Sequence, residues 1–522
     1  MSRICISFLI VALHHFAVGQ AQVINWTEPI KNSGQINQLL SFDDSEIISI
    51  KTTNNQLFPA TVATKYRDGK VVLTKKIPAN FDHKLYNLFA FVALNNRLTG
   101  IYTDKSNGET VVYAVQFDDF LDPIASPIQL LSVANDNLYR GSPFFRVQLS
   151  DNNQFLAVEA FLTARKNGFD YLQYKVFDNT FSIVQLGDFE FPTISSKTMY
   201  RKSVVANDGS FYFSYFLYNS SISVAQSENI GVEKSVVVYC EKSKQELFEM
   251  YMDSKHVIQF DCIKSDSLIL VTGTYGEGYS TGAKGVMYQR INTVSNNVEF
   301  TLFREFPDQL LTEEQIKNRR FAQENKEYAV NTRNELYQYE FREIIPLKDH
   351  SVIVVAEQVY VTHLRLTDGR GMMQTLNQYS FNDVLVYKIL PDGNFDWYSK
   401  INKEQISTND YGYFSSINVL EKQASVQLFF NDDVSYYNGF GEYDAASYQR
   451  SVFFPITKKH ACLAQSMIQF DSGKQTRTVS CYANESDGII VPKYSLVDKK
   501  RKLLLFFSEG KYESIGVKPV DY

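Results

Sequence analysis

The 522-residue sequence has few cysteines and histidines, and neither type is spaced for a metal centre. The five cysteines form no Cys-x-x-Cys pair and the seven histidines are scattered, so the usual ligand spacing of a zinc site is missing. A His-Glu-x-x-His helix motif is also absent. The sequence therefore gives no indication of a zinc centre.

Charge of either sign is not concentrated anywhere in the chain. Lys and Arg number 52 against 58 Asp and Glu, which gives a net charge of -6, and the two signs are interspersed. Because a nucleic-acid-binding face needs a basic stripe, we expect no nucleic-acid partner. The composition, 44% hydrophobic and 14% aromatic, is that of a globular protein with a large core.

The N-terminus has the three parts of a signal peptide. Arg3 supplies a positive charge, residues 4–13 form an apolar run too short to cross a bilayer, and residues 17–19 are small enough for cleavage. We predict a cleaved signal peptide at residues 1–19, no transmembrane segment, and a location in the periplasm, at the cell surface or outside the cell.

Cleavage would leave four cysteines, namely Cys240, Cys262, Cys462 and Cys481. Each neighbouring couple flanks a predicted hairpin, and an exported protein meets an oxidising compartment. Cys240 with Cys262 and Cys462 with Cys481 are therefore candidate disulfides. Free thiols buried as small apolar side chains are the alternative, because a chain of this size does not need covalent links.

Short runs rich in Val, Ile, Tyr and Phe alternate apolar and polar residues, which predicts strands joined by tight turns. A hairpin built on an apolar-Tyr pair recurs along the chain, with copies centred on Tyr66, Tyr113, Tyr174, Tyr239, Tyr288, Tyr387 and Tyr494, and a further copy at residues 466–482. Each hairpin is expected to form the outer two strands of a four-stranded sheet, and such sheets hide both faces only by packing in a ring. We therefore predict an all-β fold, a β-propeller of about seven or eight blades in one domain at residues 20–522.

One charged, strand-poor segment interrupts this pattern at residues 307–333. Its Thr312-Glu313-Glu314-Gln315 sequence is a capping box, which predicts an inserted helix. The helix either covers one face of the propeller as a lid or is a solvent-exposed insertion between two blades.

A glycine-rich segment, Thr272 to Gly285, follows an apolar strand but lacks the spacing of a phosphate-binding loop. A hairpin follows it, so no helix N-terminus is available to bind an anion. We expect a surface loop in which four residues are candidates for binding, namely Tyr275, Glu277, Tyr279 and Lys284.

A second candidate segment, Phe430 to Tyr443, places polar residues directly after a strand. Asn431, Asp432 and Asp433 are oxygen donors that suit calcium, although a turn is the more favoured interpretation and no cofactor is expected. Tyr436, Tyr437 and Tyr443 are candidates for stacking on a sugar.

Glu357 directly follows the apolar run at residues 352–356, which should be interior. A carboxylate in that place is either one of the two carboxylates that a glycosidase needs, with Asp432 as a possible second, or the partner of a cation such as Arg342. The ion pair is the favoured interpretation, because a buried charge needs a partner.

The C-terminal part of the chain also resembles a known family. The segments REIIPLKDHSVIVVAEQVYV, YSFNDVLVYKILPDGNFDWYSKINKEQ, FNDD and GIIVPKYSLVDKKRKLLLFF resemble, in that order, a family of uncharacterised exported proteins of Bacteroidetes-type bacteria. The resemblance covers roughly Phe341 to Lys518. It implies a bacterial envelope or extracellular protein and assigns no catalytic residue.

Repeats without a catalytic signature favour a binding module over an enzyme. The expected function is recognition of a protein or glycan partner on one face of the propeller. The alternative is a glycan-active hydrolase or lyase with carboxylates at the central channel, which a pocket holding two or more acidic side chains with perturbed pKa values would favour.

Overall fold

The computed structural model describes residues 24–42, 46–53, 59–106, 108–136, 138–165, 167–218, 232–242, 244–252, 255–277, 282–324, 334–367, 373–446, 451–486, 488–499 and 501–520. The predicted signal peptide and Tyr279 lie outside these residues.

The described residues form eight sheets of four or more strands, which we number in chain order and which are antiparallel except for one short parallel pair in sheet 6. Six of them have four strands: sheet 1 (Gly34–Ser41, Glu46–Thr53, Thr61–Arg67, Lys70–Lys76), sheet 2 (Asn87–Leu94, Arg97–Ser106, Glu109–Gln116, Ile128–Ala134), sheet 3 (Phe144–Leu149, Phe155–Leu162, Phe169–Asp178, Ile183–Ile194), sheet 4 (Thr198–Val205, Phe211–Tyr218, Val232–Glu241, Lys244–Tyr251), sheet 5 (Lys255–Ser265, Leu268–Glu277, Gly285–Asn292, Asn297–Glu305) and sheet 7 (Asn418–Lys422, Ser425–Asp433, Ala461–Gln469, Gln475–Tyr482).

Two sheets are larger. Sheet 6 contains Tyr339–Pro346, Val352–Thr367, Met373–Ile389 and Phe395–Ile401, with Gln405–Thr408 and Val452–Phe453 added at one side. Sheet 8 contains Ile489–Ile490, Leu496–Asp498, Leu503–Glu509 and Tyr512–Pro519, with Asn25–Trp26 and Ile30–Lys31 from the other end of the chain. A two-stranded hairpin, Asn80–Phe81 with Lys84–Leu85, lies between sheets 1 and 2 in the sequence.

Each sheet packs both of its faces against neighbouring sheets, and the packing closes on itself. Sheets 3 and 4, for example, share a cluster that includes Phe191 and Tyr215, and equivalent clusters lie between every other consecutive pair. The last cluster joins sheet 8 to sheet 1, with Leu505 and Phe507 against Ile36. The predicted all-β propeller fold is therefore confirmed.

The recurring tyrosine hairpins are the outer halves of the sheets, as the repeat predicts. The tyrosine lies on the third strand of sheets 1 to 6 and is buried in five of them, at Tyr66, Tyr174, Tyr239, Tyr288 and Tyr387. Tyr174 stacks on Phe211 of the next sheet, with ring centroids 4.3 Å apart. The prediction is wrong for Tyr494, which precedes Leu496–Asp498 at the inner side of sheet 8, because Leu503–Glu509 is the second strand of that sheet, Tyr512–Pro519 is the third and the N-terminal strands are the fourth.

The N-terminal strands close the ring by completing sheet 8. Asn25 and Trp26 pair with Val517 and Gly516 in antiparallel register. Ile24 and the Trp26 ring also pack in the cluster between sheets 7 and 8. The two ends of the described chain are thus held in one sheet.

Helix α1, Asp308–Glu324, lies within the predicted insertion, and residues 325–333 lie outside the described part. Its Leu310 and Leu311 are buried against sheets 5 and 6. Glu314 is buried too, where it pairs with Lys400 and accepts a hydrogen bond of 3.1 Å from the Tyr339 hydroxyl. No helix among the described residues is long and apolar enough to cross a membrane.

The two predicted disulfides are wrong, because all four cysteines are free, buried thiols. Cys240 packs between sheets 3 and 4, whereas Cys262 packs between sheets 4 and 5, so sheet 4 separates them. Cys481 packs beside Leu463 in the cluster between sheets 7 and 8. On the neighbouring strand Cys462 lies opposite Tyr482 and not opposite Cys481. Because successive side chains of a strand point to opposite faces, neither couple can approach bonding distance.

Candidate functional site

The predicted binding loop near Tyr275 does not bring its candidates together on a surface. The Tyr275 ring is buried between sheets 4 and 5 and meets Phe303 edge-on. Glu277 is exposed at the strand end, and Lys284 lies 3.7 Å from Glu305 in an ion pair. Tyr275 is therefore part of the core.

The same loop carries the G-x-S-x-G spacing of serine hydrolases at residues 278–282. In those enzymes the serine lies on a turn from a strand to a helix. Here the loop connects two antiparallel strands of sheet 5, Leu268–Glu277 and Gly285–Asn292. The two flanking strands thus differ from the strand and helix that flank the serine in those enzymes, and residues 278–281 lie outside the described part of the chain.

The polar residues at the end of the second strand of sheet 7 are engaged by protein partners. The Asn431 amide donates to two backbone oxygens, and Asp433 caps the short helical turn that follows it. Asp432 pairs with the buried Arg477 and accepts a hydrogen bond of 2.5 Å from the Tyr437 hydroxyl.

The three candidate tyrosines of this segment are likewise interior contacts. The Tyr443 ring lies 4.0 Å from the guanidinium carbon of Arg477, and Arg477 donates to the Tyr437 hydroxyl at 2.9 Å. Tyr436 is buried beside Phe454. Nowhere in the described part of the chain do three or more His, Cys, Asp or Glu side chains gather in a way that could hold a metal ion.

Glu357 is fully buried and paired, and Arg342 is its partner as predicted. Arg342 Nε lies 2.8 Å from one carboxylate oxygen, Lys403 Nζ lies 2.7 Å from the other, and the Ser416 hydroxyl donates at 2.6 Å. Burial alone would raise the pKa of this carboxyl, but Lys403 and Arg342 hold the pKa below its usual value. Glu357 is therefore ionised and unable to act as a general acid.

One buried network joins the Glu357 and Asp432 groups. Lys403 Nζ also donates to the Gln405 side chain at 2.9 Å, and Gln405 donates to the backbone oxygen of Asn431 at 2.8 Å. The network connects sheets 6 and 7. Because both carboxylates are buried, this network does not face a substrate, and removal of one partner would leave an uncompensated charge in the core.

A large cavity lies instead at the axis of the ring, where the first strands of sheets 3 to 6 converge. We call it the lower pocket. Its volume is about 580 Å³, and its charged lining residues are Asp151, Lys202, Asp208, Asp261, Lys264, Asp266, Arg342, Glu343 and Lys499. Lys499 follows a strand of sheet 8 and lies 3.6 Å from Asp151 of sheet 3, which is not a neighbouring sheet. The cavity is therefore part of the central channel.

Most charges in the lower pocket are paired between sheets. Lys202 of sheet 4 lies 2.7 Å from Asp261 of sheet 5, and Lys264 of sheet 5 pairs with Asp208 of sheet 4. These pairs fix the positions of donors and acceptors along the wall.

Glu343 differs from the other carboxylates of the lower pocket. Its carboxylate makes no hydrogen bond to another described residue. Burial raises its pKa, and the carboxylates of Asp151 and Glu421 raise it further, against the opposing effects of Lys499 and Lys202. Burial also raises the pKa of Glu421. Glu343 in the lower pocket and Glu421 near it therefore both have a pKa above the usual value.

A second cavity of about 480 Å³, the upper pocket, lies nearer the beginnings of the first strands. It shares Gln148 and Lys202 with the lower pocket, so the two are continuous. Its other lining residues are Arg146, Val147, Arg201, Ser203 and Phe260.

The channel residues were not among the sequence candidates, although a signal for them exists. The first strands of sheets 3 to 6 each contain an aromatic residue followed by a charged one, namely Phe145-Arg146, Tyr200-Arg201, Phe260-Asp261 and Phe341-Arg342. The aromatic side chain packs between sheets and the charged one lies at the channel.

No family model matches the chain, and no curated protein matches it significantly. Solved structures similar to it include the polysaccharide lyase Uly1, 7% identical over 80% of this chain and 90% of that one, with a TM-score of 0.36. The β-propeller domain of the Trilobed protease from Pyrococcus furiosus is 8% identical over 72% and 96%, with a TM-score of 0.31. The phage phi92 endosialidase is 12% identical over 89% and 71%, with a TM-score of 0.28. At such distances these likenesses carry no inference about activity.

Proposed function

We propose that the protein binds a glycan in its central channel. The observation that carries the proposal is the lower pocket, whose volume of about 580 Å³ is within the usual range of ligand sites. Its wall offers both cationic donors and carboxylate acceptors in fixed positions, which suits a ligand rich in hydroxyl groups. The upper pocket extends the same channel, so a chain of several sugar units has room to bind.

A glycan binding screen followed by calorimetric titration tests the proposal. Glu343→Ala is expected to weaken binding about tenfold or more, because the variant removes a carboxyl that lines the lower pocket and has no side-chain hydrogen-bond partner among the described residues. Glu190→Ala, exposed on the last strand of sheet 3 and outside the pocket lining, is the control and should leave the affinity unchanged. Absence of glycan binding, or equal loss in both variants, would contradict the proposal.

Glycan hydrolysis is a second candidate function, and the raised pKa of Glu343 is the observation that favours it. A glycosidase needs a carboxyl that stays protonated to donate a proton to the leaving group. A reducing-end assay on the glycans that bind should then show turnover. Glu343→Gln would abolish turnover and retain binding, whereas binding without turnover in the wild-type protein would leave the binding function alone.

We also propose that the protein acts outside the cytoplasm, as the N-terminal pattern and the resemblance to exported proteins suggest. Sequencing of the N-terminus of the protein recovered from its host should give a chain that begins near Gln20. A chain that retains residues 1–19 would contradict this.

A further inference from the structure

The upper pocket has a cationic wall. Arg146 comes from the first strand of sheet 3, and Arg201 and Lys202 come from the first strand of sheet 4. None of the described residues that line this cavity is acidic. The upper pocket thus differs from the lower pocket, where carboxylates and cations alternate.

A β-bulge places Arg201 at the channel. The pairing between the first two strands of sheet 4 shifts register between Tyr200 and Lys202, so Arg201 is the extra residue. Bulges of this kind redirect a side chain. Arg201 contacts the Met199 sulfur at 3.4 Å and the Phe216 ring at 5.1 Å, and it makes no ion pair with a carboxylate among the described residues. Its charge is available to a ligand.

The carboxylate beside Arg146 is that of Glu159, and it is hydrogen-bonded to other side chains. Glu159 is buried behind the pocket wall and accepts hydrogen bonds of 2.7 Å from the Tyr200 hydroxyl and from the Ser203 hydroxyl. Arg146 lies 3.5 Å from this carboxylate, longer than a strong ion pair. Burial also raises the pKa of Glu159, which weakens it as a counter-ion. Arg146 therefore keeps donors for a ligand.

Aromatic rings surround the two arginines. The Arg146 guanidinium lies 5.7 Å from the Tyr200 ring and 5.9 Å from the Phe144 ring, and Phe144 is 59% exposed. Tyr200 is held by stacking on Phe161, with centroids 5.0 Å apart. Apolar ring faces next to guanidinium groups suit a sugar ring that carries an anionic substituent.

We propose that the upper pocket recognises an anionic group on the bound glycan, a carboxylate or a sulfate ester, so that the ligand is an acidic polysaccharide. Arg201 and Arg146 hold the anion, because guanidinium groups bind such groups with paired hydrogen bonds. Lys202, which is paired with Asp261, adds positive charge at the junction of the two pockets. This inference rests on the proposed glycan-binding function and deepens it.

Calorimetric titration of the full chain with three matched oligosaccharides tests the inference. The probes are an oligouronate, the same oligosaccharide with its carboxyl groups reduced to alcohols, and a sulfated form of the reduced oligosaccharide. We expect at least one anionic form to bind about tenfold or more tightly than the reduced form, with affinity that falls as salt rises. The two anionic probes separate a preference for carboxylate from one for sulfate.

Arg201→Gln should reduce the affinity for the anionic probe about tenfold and leave the affinity for the reduced probe unchanged. Arg304→Gln, on the exposed last strand of sheet 5, is the control and should bind as the wild-type protein does. Equal affinity for anionic and reduced probes, or equal loss of both in Arg201→Gln, overturns the inference and leaves the proposed glycan binding intact. Failure of all probes and of the wider glycan screen overturns both.

Discussion

At the scale of single residues, Glu343 and Glu357 show how the same side chain takes opposite roles on adjacent strands of sheet 6. Glu357 is buried with two cations and a hydroxyl, so its charge is neutralised. Glu343 lines a cavity without a side-chain hydrogen-bond partner among the described residues, so its ionised form is disfavoured. The paired carboxylate stabilises the fold, whereas the unpaired one is available to a ligand.

The raised pKa of Glu343 predicts a pH-dependent stability effect. A carboxyl whose pKa is higher in the folded state contributes stability that is fully present below the unfolded value of 4.5 and is lost as pH rises through the folded value. Glu343→Gln, which cannot ionise, should therefore unfold at a higher temperature than the wild-type protein at neutral pH. The difference should shrink as the pH falls towards 4.5.

Thermal unfolding followed by circular dichroism measures this difference, with Glu340→Gln as the exposed control on the same strand. A Glu343→Gln variant less stable than the wild-type protein at neutral pH would show that the carboxylate is stabilised by contacts and would contradict the account.

The buried pairing of Glu357 predicts a large loss of stability on its removal. Glu357→Ala leaves Lys403 and Arg342 without their shared partner, and breaking such a buried pair costs about 3 to 5 kcal/mol of unfolding free energy. Glu340→Ala removes only an exposed contact with Arg342 and should cost about 0.5 kcal/mol or less. Urea unfolding measures both, and equal stability of the two variants would contradict the buried network.

Part of the site was predictable at this scale. The position of Glu357 after an apolar strand predicts a buried carboxylate with a cationic partner, and Arg342 is that partner. The channel residues were not predicted, because Glu343 and Arg201 lie in ordinary strand sequence and only the ring brings them to one axis. Tyr275 and Tyr436 were assigned to binding surfaces, but packing between sheets buries them.

At the scale of elements, the strand pattern explains why the thiols stay free. Neighbouring hairpins place Cys240 and Cys262 in interfaces on opposite faces of sheet 4. Burial raises the pKa of Cys240 and of Cys481, in each case to about 12, so these thiols are also unreactive in the folded protein.

Alkylation with iodoacetamide tests this placement. After denaturation without reductant, peptide mass spectrometry should find all four of these cysteines alkylated, and the folded protein should show almost no alkylation at them. Recovery of a Cys240–Cys262 or Cys462–Cys481 linked peptide would contradict the structure.

The first strands of five sheets contain a β-bulge that was not predicted from the sequence. The first strands of sheets 1, 2, 4, 5 and 6 each shift register once against the second strand. Hairpin signals such as Asp-Gly turns are local and were predictable. A bulge depends on the pairing of two strands, so single-strand periodicity does not reveal it.

At the scale of the whole molecule, closure depends on the N-terminal strands that complete sheet 8. The sequence predicted the ring from its repeated hairpins, but it assigned the last hairpin wrongly at Tyr494, because the outermost strands of sheet 8 come from the other end of the chain. Long-range pairing of this kind leaves no local pattern.

Removal of the closing strands should destabilise the ring. A chain that begins at Ser33 lacks Asn25–Trp26 and Ile30–Lys31, so it exposes the edge of Tyr512–Pro519 and part of the cluster between sheets 7 and 8. Its unfolding midpoint in calorimetry should fall by several degrees or more relative to a chain that begins at Gln20. Equal midpoints for the two chains would contradict closure by these strands.

If the ligand occupies the channel, a bulky side chain that fills the channel should abolish binding. Gln148 lies where the two pockets meet, so Gln148→Trp should block both, whereas Gln154→Trp, on an exposed turn of the same sheet, should not. Calorimetric titration with the glycan identified in the screen should show binding lost in Gln148→Trp and retained in Gln154→Trp, with both variants folded. Unchanged affinity in Gln148→Trp would place the binding site elsewhere and contradict the account.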